Sequence, residues 1–328
     1  MKTLIAGACR LTSLAALGAA LALPLGAAQA APDYPAKPVR IVVPNPAGGA
    51  SDVVARLIAQ KLGDEWGQPV VVENRAGANG NIGAMLVAKA EPDGHTLLLM
   101  DQGSLAISPS LYTLQYSPTR DLAPVSIVAY SPHILVVRKD LPVSNVEELV
   151  AYAKANPGKL NLGVTPGAIT HLAGVLLAQR KAFTWNYVGY KGGSQVLSDL
   201  AGGQIDAAIN SFLATYPLVK SGNIKLVGVA SPERYAPIPD TPTLAESVPG
   251  FVTGSWQGLL APAGTPPDIV AKIHADIARI VARPDVRARL AELGSEPVEK
   301  TPAEFADWLR EQTDYWAKVV RDNAIKLE

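Results

Sequence analysis

The chain of 328 residues has a single cysteine, Cys9, which lies within its first thirty residues. If that segment is removed, no thiol is left, and disulfides, thiolate metal sites and cysteine nucleophiles are all excluded. The chain also lacks an excess of either charge, because 29 basic residues balance 29 acidic residues. A chain without a basic stripe offers little to a phosphate backbone, so we expect no nucleic acid partner.

Motifs for catalysis and metal binding are scarce as well. The sequence contains only four histidines, no two of them at metal-ligand spacing, and neither an H-E-x-x-H nor a G-x-S-x-G motif. The glycines from Gly77 to Gly83 are spaced G-x-x-G-x-x-G, which differs from the G-x-G-x-x-G of dinucleotide-binding loops. We therefore predict that the protein is not an enzyme and that it has no metal site and no cofactor.

After residue 30 no apolar run approaches the roughly 20 residues that a membrane-spanning helix needs. Before that point, Lys2 and Arg10 lead into an apolar stretch that ends in Ala28-Gln29-Ala30, the small-x-small pattern of a signal-peptidase site. The pattern predicts that residues 1–30 are a signal peptide, cleaved after Ala30, and that the mature chain is exported and soluble.

Short β-branched runs alternate with amphipathic segments along the mature chain. The predicted strands are 39–43, 70–74, 96–100, 133–138, 159–164, 185–190, 206–210 and 224–230, and the predicted helices are 52–62, 82–90, 144–156, 170–180, 193–202, 266–282, 284–293 and 302–323. This order predicts an α/β fold with parallel strands and ligand-binding loops at their carboxyl ends. In the first segment those loops are 44–51 and 101–109.

The segment from Pro44 to Asp52 follows a strand and opens a helix. Its glycines permit backbone conformations that point consecutive N–H groups, together with the positive end of the helix, at an anion. The absence of Lys and Arg from this loop favours a carboxylate over a phosphate dianion. The alternative is an ordinary turn capped by Ser51 or Asp52.

A second strand-to-helix segment, residues 165–171, predicts another anion site that faces the first. Two opposed sites suit a ligand with two polar ends. The candidate ligand-binding residues here are Thr165, Gly167, Ala168, Thr170 and His171, with Tyr190 and Lys191 as further candidates for the cleft wall. Capping or helix packing by His171, and solvation of Lys191 as a loop charge, are the alternatives.

The sequence resembles a known family over almost the whole mature chain, and in the same order. YPAKPVRIVVPNPAGGASDVVARLIAQKLGDEWGQPVVVENRAGANGNIGA looks like the start of the extracytoplasmic solute receptors of tripartite tricarboxylate transport systems, also called the Bug family. The resemblance continues in EPDGHTLLL (91–99), ISPSLY (107–112), LPVSNVEELVAYAKANPGKLN (141–161), HLAG (171–174), YKGG (190–193) and GLLAPAGTPPDIV (258–270).

The resemblance implies a two-lobed periplasmic-binding-protein-like fold of type II that closes on a small carboxylate in the cleft between its lobes. It also implies a monomer in the periplasm that docks on membrane permease subunits. Lobe 1 is predicted to comprise residues 31–130 plus 255–328, and lobe 2 residues 131–254. Carried over from the family, the ligand-binding residues of lobe 1 are Pro46, Gly48, Gly49, Ser51, Asp52, Gly103 and Ser104.

Three residues depart from the family pattern. Asn45 replaces an aromatic residue, Gly189 replaces a proline, and Asp101 places a carboxylate where an anionic ligand is expected. From Asp101 comes the hypothesis that the ligand carries a hydrogen-bond donor or a positive centre besides its carboxylate. The alternative is that Asp101 caps a turn or pairs with a basic residue.

Two other functions are compatible with such a fold. A periplasmic enzyme would need a nucleophile or an acid/base pair in the cleft, and the sequence offers none with supporting spacing. A sensor that signals to a membrane partner would share the same binding event and differ only in what receives the closed protein.

Overall fold

The computed structural model describes residues 34–326 of the chain, so the predicted signal peptide at residues 1–30 lies outside the described residues. In chain order the elements are β1 (Val39–Val43), α1 (Ala50–Trp66), β2 (Val70–Asn74), a 3-10 helix (Ala78–Gly80), α2 (Asn81–Ala88), β3 (Thr96–Asp101), α3 (Gln102–Leu111), β4 (Leu122–Arg138), α4 (Val146–Ala155), β5 (Asn161–Val164), α5 (Ile169–Lys181), β6 (Asn186–Gly189), α6 (Gly193–Ala201), β7 (Ala207–Ser211), α7 (Phe212–Lys220), β8 (Ile224–Val229), α8 (Leu244–Ser247), β9 (Gly254–Pro262), α9 (Pro267–Ala282), α10 (Pro284–Glu292), β10 (Glu296–Pro297) and α11 (Pro302–Asp322).

The first half of the sheet has the strand order β2-β1-β3-β9-β4. The pairs β1–β2 and β1–β3 are parallel, as the βαβαβ pattern predicts, and β9 then joins β3 and β4 in antiparallel orientation. A core that includes Val42, Leu98 and Phe305 fills the space between the sheet and its helices. This core fixes the carboxyl ends of β1 and β3 at one edge of the sheet.

The second half contains the parallel strands β7, β5 and β6, and β4 pairs with both β7 and β8 in antiparallel orientation. Ile134 and Val136 lie in one buried cluster, whereas Leu135 and Val137 lie in another. The sheet is therefore covered on both faces here, which explains why the sequence of this stretch is continuously apolar.

Strand β4 belongs to both halves of the sheet. Its residues from Leu122 to Pro132 pair with β9, and its residues from His133 to Arg138 pair with β7 and β8. The chain from Pro35 onward forms one compact unit. The change of partners in β4 and the start of β9 at Gly254 lie close to the lobe boundaries expected from the sequence, and the division into lobes stays a prediction.

The prediction of a loop at 101–109 is wrong, because residues Gln102–Leu111 form helix α3. Gly103, Ser104 and Pro109 give this stretch the composition of a loop, but burial of Leu105 and Ile107 favours a helix. Helix α7 was not predicted either.

No helix between residues 34 and 326 combines the length and apolarity that a membrane crossing needs.

Candidate functional site

A cleft lies at the carboxyl ends of β1, β3, β5 and β7, where the two halves of the sheet face each other. Its walls come from both halves, and they are formed by Asn45, Pro46, Gly49, Ala50, Ser51, Asn79, Asp101, Ser104, His133, Gly163, Thr165, Ala168, Ile169, Thr170, Gly193, Val196, Ile209, Asn210, Ser211, Ala214, Ser255 and Gln257. Ligand sites of open α/β sheets occur at this edge. We therefore take this cleft as the candidate binding site.

Four helices begin in the wall of the cleft without a side chain that caps them. Their N-cap residues are Gly49 for α1, Ala168 for α5, Gly192 for α6 and Ser211 for α7, and none makes a side-chain capping hydrogen bond. The first N–H groups of a helix have no partner within the helix, and the helix dipole adds partial positive charge there. The arrangement therefore gathers backbone N–H donors of four helices around one cavity.

Ionisable side chains are few in this wall. Among the described residues that line the cleft there is no Lys or Arg, and Asp101 and His133 are the two titratable groups. Burial lowers the pKa of His133 to about 3, and its Nδ1 lies 3.1 Å from the Thr253 hydroxyl. His133 is therefore neutral at physiological pH, and no side chain that lines the cleft carries a positive charge.

Asp101 ends β3 and is the N-cap of α3, accepting a 2.8 Å hydrogen bond from the Gly103 N–H. Burial raises the pKa of Asp101 to about 6, although hydrogen bonds from Gly103, the Ser255 side chain and the Trp256 backbone oppose the shift. The capping role that we considered as the alternative for Asp101 is thus present. Because Asp101 also lines the cleft, capping does not remove it from the candidate site.

Asp52 orders the first loop and is not part of the cleft wall. Its buried carboxylate accepts from the Gly48 N–H at 2.9 Å, from Arg56 at 3.0 Å and from Asn74 at 2.9 Å. Although burial favours the neutral form, these hydrogen bonds hold the pKa of Asp52 below its usual range. Asn74 also donates to the Asn45 carbonyl at 3.0 Å, so this network sets the shape of the loop that the ligand would meet.

Residues 165–171, the second predicted anion site, lie partly in the cleft wall and partly behind it. Thr165, Ala168 and Thr170 line the cleft. The Gly167 N–H donates to Nδ1 of His171 at 3.2 Å, and the His171 ring packs edge-on against Tyr187. His171 therefore lies behind the cleft wall, in the packing role that the sequence left open.

Tyr190 and Lys191 also lie away from the cleft wall. The Tyr190 hydroxyl donates to Asp199 at 2.7 Å, and the backbone N–H of Lys191 donates to the Gln195 side chain at 3.1 Å. Of the fifteen residues proposed from the sequence, the structure brings eight together in the wall: Pro46, Gly49, Ser51, Asp101, Ser104, Thr165, Ala168 and Thr170. The other seven are Gly48, Asp52, Gly103, Gly167, His171, Tyr190 and Lys191.

Residues that the sequence analysis missed come mainly from the middle of the sheet. They include His133 on β4, Asn210 and Ser211 at the end of β7, and Ser255 and Gln257 on β9. The rule that places loops at the carboxyl ends of parallel strands would have found Asn210 and Ser211. The alternation of polar residues at 255 and 257 was the available signal for β9.

The two halves touch at several places, three of them beside the loops of the cleft. The Asn79 side chain donates to the Gly167 carbonyl at 2.9 Å, and the Tyr112 hydroxyl donates to the Pro166 carbonyl at 2.5 Å. A Cβ built on Gly192 would lie 2.4 Å from Cδ of Pro46, so these two backbones approach as closely as glycine allows. The cleft is therefore narrow.

No cluster of metal-binding side chains occurs between residues 34 and 326.

Similarity to other proteins agrees with this architecture. The chain is 37% identical over 311 residues to a protein of Pseudomonas sp. strain P51 from the tcbD-tcbE intergenic region, covering 94% of this chain and 92% of that one. It is 36% identical over 308 residues to the protein BugT of Bordetella pertussis, covering 93% of this chain and 94% of BugT.

Solved structures show the same fold. The periplasmic binding protein BugD superimposes with a TM-score of 0.86 at 35% identity, covering 90% of this chain and 100% of BugD. Rpa4515 of R. palustris with adipate gives 0.86 at 35% identity, covering 89% and 99% of the two chains. MatC of Rhodopseudomonas palustris with bound malate gives 0.83 at 34% identity, covering 88% and 100%.

A family model, described as the tripartite tricarboxylate transporter family receptor, matches residues 54–325. That span contains all but the first elements of the fold, and the relatives are similar over nearly their whole length. The chain therefore belongs to the tripartite tricarboxylate transporter receptor family, the Bug solute-binding proteins, and it has their periplasmic-binding-protein fold.

Proposed function

We propose that the protein is exported to the periplasm, captures a small carboxylate in the cleft by closure of its two lobes, and delivers it as a monomer to membrane permease subunits of a tripartite transporter. Membership in a family of solute-binding receptors supports the binding role. The adipate and malate seen in Rpa4515 and MatC support a carboxylate as the ligand class. No chemical step is part of the proposal.

One observation carries the proposal. Four helices with uncapped N-termini surround a cavity whose wall has no Lys or Arg. Backbone N–H groups that have no partner within the helix are suited to a carboxylate, because each oxygen accepts two hydrogen bonds and the helix dipoles oppose its charge. A carboxylate held this way needs no side-chain cation.

Closure is the proposed mechanism. The ligand stabilises the closed state only by the difference between its affinities for the closed and open states. The contacts of Asn79 with Gly167 and of Tyr112 with Pro166 join the two halves, and each contributes about 1 kcal/mol at most to keeping them together. Ile169 and Leu172 of α5 also pack into the core of the first half, and the ligand adds to these contacts when the halves close.

A carboxylate introduced at a helix N-terminus tests the proposal. Thr170 lies in the first turn of α5 and lines the cleft. In the variant Thr170→Asp, the new carboxylate takes the place of the ligand carboxylate at this helix, and a first-turn Asp also favours the helix. We expect the variant to keep the melting temperature of the ligand-free protein and to lose binding of the acid that copurifies with the wild type.

The matched control is Thr170→Asn, which has nearly the same shape and no charge. Isothermal titration of both variants, with the acid that mass spectrometry identifies in heat-released material, provides the comparison. Equal binding by Thr170→Asp and Thr170→Asn contradicts backbone capture of a carboxylate at α5.

Export is tested separately. The mature N-terminus of protein secreted by its own leader, read by intact-mass spectrometry, is expected at Ala31. A deletion strain is expected to lose uptake of the acid, whereas loss of a signalling response with normal uptake would favour the sensor alternative.

A further inference from the structure

A carboxylate in the wall of an anion-binding cleft is not explained by capture of an acid. Asp101 is half-buried in that wall, on the β3–β9 side of the cleft. An ionised Asp101 repels a ligand that carries only negative charge. The inference that follows rests on the proposed function and concerns the other end of the ligand.

Asp101 stands beside a second hydrogen-bond acceptor. In the β3–β9 ladder Asp101 lies opposite Gln257, so their side chains are neighbours on one face of the sheet. The Gln257 amide donates from Nε2 to the Ser255 hydroxyl at 2.5 Å, and Ser255 in turn hydrogen-bonds Asp101. The chain of donors thus runs from Gln257 through Ser255 towards Asp101.

Oε1 of Gln257 takes no part in this series of hydrogen bonds. This oxygen accepts no hydrogen bond from the part of the protein that the structure describes. Because Gln257 is only 2% exposed, water does not readily replace the missing donor. A buried acceptor without a donor costs on the order of 1–3 kcal/mol. Because Gln257 lines the cleft, a donor bound in the cleft can satisfy Oε1 once the amide turns towards it.

No positive side chain balances Asp101 from inside the cleft. Its neighbours Ser255 and Gln257 on β9, Ser104 on α3 and Ile169 on α5 are uncharged, and His133 on β4 is neutral because burial lowers its pKa to about 3. The uncapped helix N-termini belong to α1, α5, α6 and α7, whereas the N-terminus beside Asp101 is capped by Asp101 itself. The acceptors Asp101 and Gln257 therefore lie on β3 and β9, and the uncapped N-termini belong to other elements of the cleft wall.

We infer that the ligand is a zwitterionic amino acid, whose carboxylate binds the uncapped helix N-termini and whose ammonium group binds Asp101 and Gln257. An ammonium group offers three donors and one positive charge. It can therefore donate to both Asp101 and Gln257, and its charge balances the carboxylate of Asp101. A hydroxyl offers one donor and no charge, so it satisfies only one acceptor and leaves Asp101 unbalanced.

The test uses two sets of acids that differ only in the substituent on carbon 2. The first set is propanoate, L-lactate and L-alanine, and the second is succinate, L-malate and L-aspartate. Binding of each to ligand-free full-length mature protein is measured at pH 7.5 by thermal shift and titration calorimetry. We expect the amino acid of at least one set to bind most tightly, followed by the hydroxy acid and then the unsubstituted acid.

The variant Asp101→Asn identifies the residue responsible. Asn keeps an oxygen that accepts from Gly103, so the cap of α3 is retained. We expect the affinity for the amino acid to fall at least about 30-fold, as for loss of one partner of a buried charge pair, and the affinity for the unsubstituted acid to stay equal or rise. The control is Asp314→Asn, an exposed residue of α11, which leaves both affinities unchanged.

The outcomes separate this inference from the proposed function. If an unsubstituted or hydroxy acid binds as tightly as its amino acid, or if Asp101→Asn leaves the preference intact, the inference is overturned and the proposed function stands. If none of the six acids binds, the acid released from freshly purified protein decides, because mass spectrometry shows whether it carries an ammonium group. If no acid binds and none is released, the proposed function is contradicted and the inference with it.

Discussion

At the scale of single residues, Asp101 has two effects on stability that oppose each other. It caps α3 through the Gly103 N–H, which stabilises the helix. Its burial raises the pKa to about 6, so the ionised form at neutral pH destabilises the ligand-free protein. Binding sites commonly have this property, because a charged group kept for a ligand is partly desolvated and has no counter-charge without it.

The variant Asp101→Asn should therefore stabilise the ligand-free protein at neutral pH. The folded protein holds the Asp101 proton up to about pH 6, whereas the unfolded chain releases it near its usual pKa of 3.8. The wild type thus loses stability between about pH 4 and pH 6, and the uncharged variant does not. We expect the variant to gain on the order of 2 kcal/mol in unfolding free energy at pH 7 and almost nothing at pH 4.

Urea denaturation of both proteins at the two pH values measures this difference. Asp314→Asn serves again as the control and should show the same difference from the wild type at both. A variant Asp101→Asn that is less stable than the wild type at pH 7 would show that the ionised carboxylate is well satisfied without a ligand.

The outcome for Asp52 shows what a sequence reveals about a polar residue. Its partner Arg56 lies four positions later on the same helix and could be recognised from spacing alone. Its partner Asn74 lies on the neighbouring strand end, and only the pairing of β1 with β2 brings it near. The sequence therefore identified Asp52 as part of the loop but could not distinguish ordering of the loop from contact with the ligand.

At the scale of elements, most strands and helices were predicted to within two residues, because each has a clear period and clear ends. Strand β4 was predicted only from residue 133, and its first half was missed, since Pro124 and Pro132 interrupt the apolar pattern. The missed half is the part that pairs with β9. Ser255 and Gln257 of β9 were missed as a consequence, because the pairing of β9 with β4 brings them to the cleft.

Contact between the loop before α1 and the start of α6 gives a prediction at this scale. Gly192 has an extended backbone with φ of 176°, which an alanine can adopt. The added Cβ would lie 2.4 Å from Pro46 Cδ, so Gly192→Ala keeps the two halves apart while leaving an open form unstrained. Overpacking of this kind costs about 1–3 kcal/mol, and we expect ligand affinity to fall on the order of tenfold.

Gly189→Ala is the control, because its Cβ would meet Pro166 Cγ at an ordinary 3.4 Å. Titration calorimetry of both variants with the copurifying acid provides the measurement, and the melting temperatures without ligand should agree within about 2 °C. An unchanged affinity in Gly192→Ala would mean that binding does not require this approach of the two halves.

At the scale of the whole molecule, the two halves contribute different chemistry to one cleft. Helices α5, α6 and α7 of the second half and α1 of the first half supply backbone donors, whereas β3 and β9 supply acceptors from the first half only. The donors of α5, α6 and α7 belong to the half opposite to these acceptors, so a ligand that uses both must bridge the two halves. In the proposed mechanism, recognition of such a ligand is therefore coupled to closure.

A crystal structure of the mature protein with the acid it copurifies with tests the central claim most directly. The account predicts carboxylate oxygens within about 3 Å of backbone N–H groups in the first turns of at least two of the helices α1, α5, α6 and α7, with no Lys or Arg in contact. A carboxylate bound to a cationic side chain, or located outside the cleft, would contradict it.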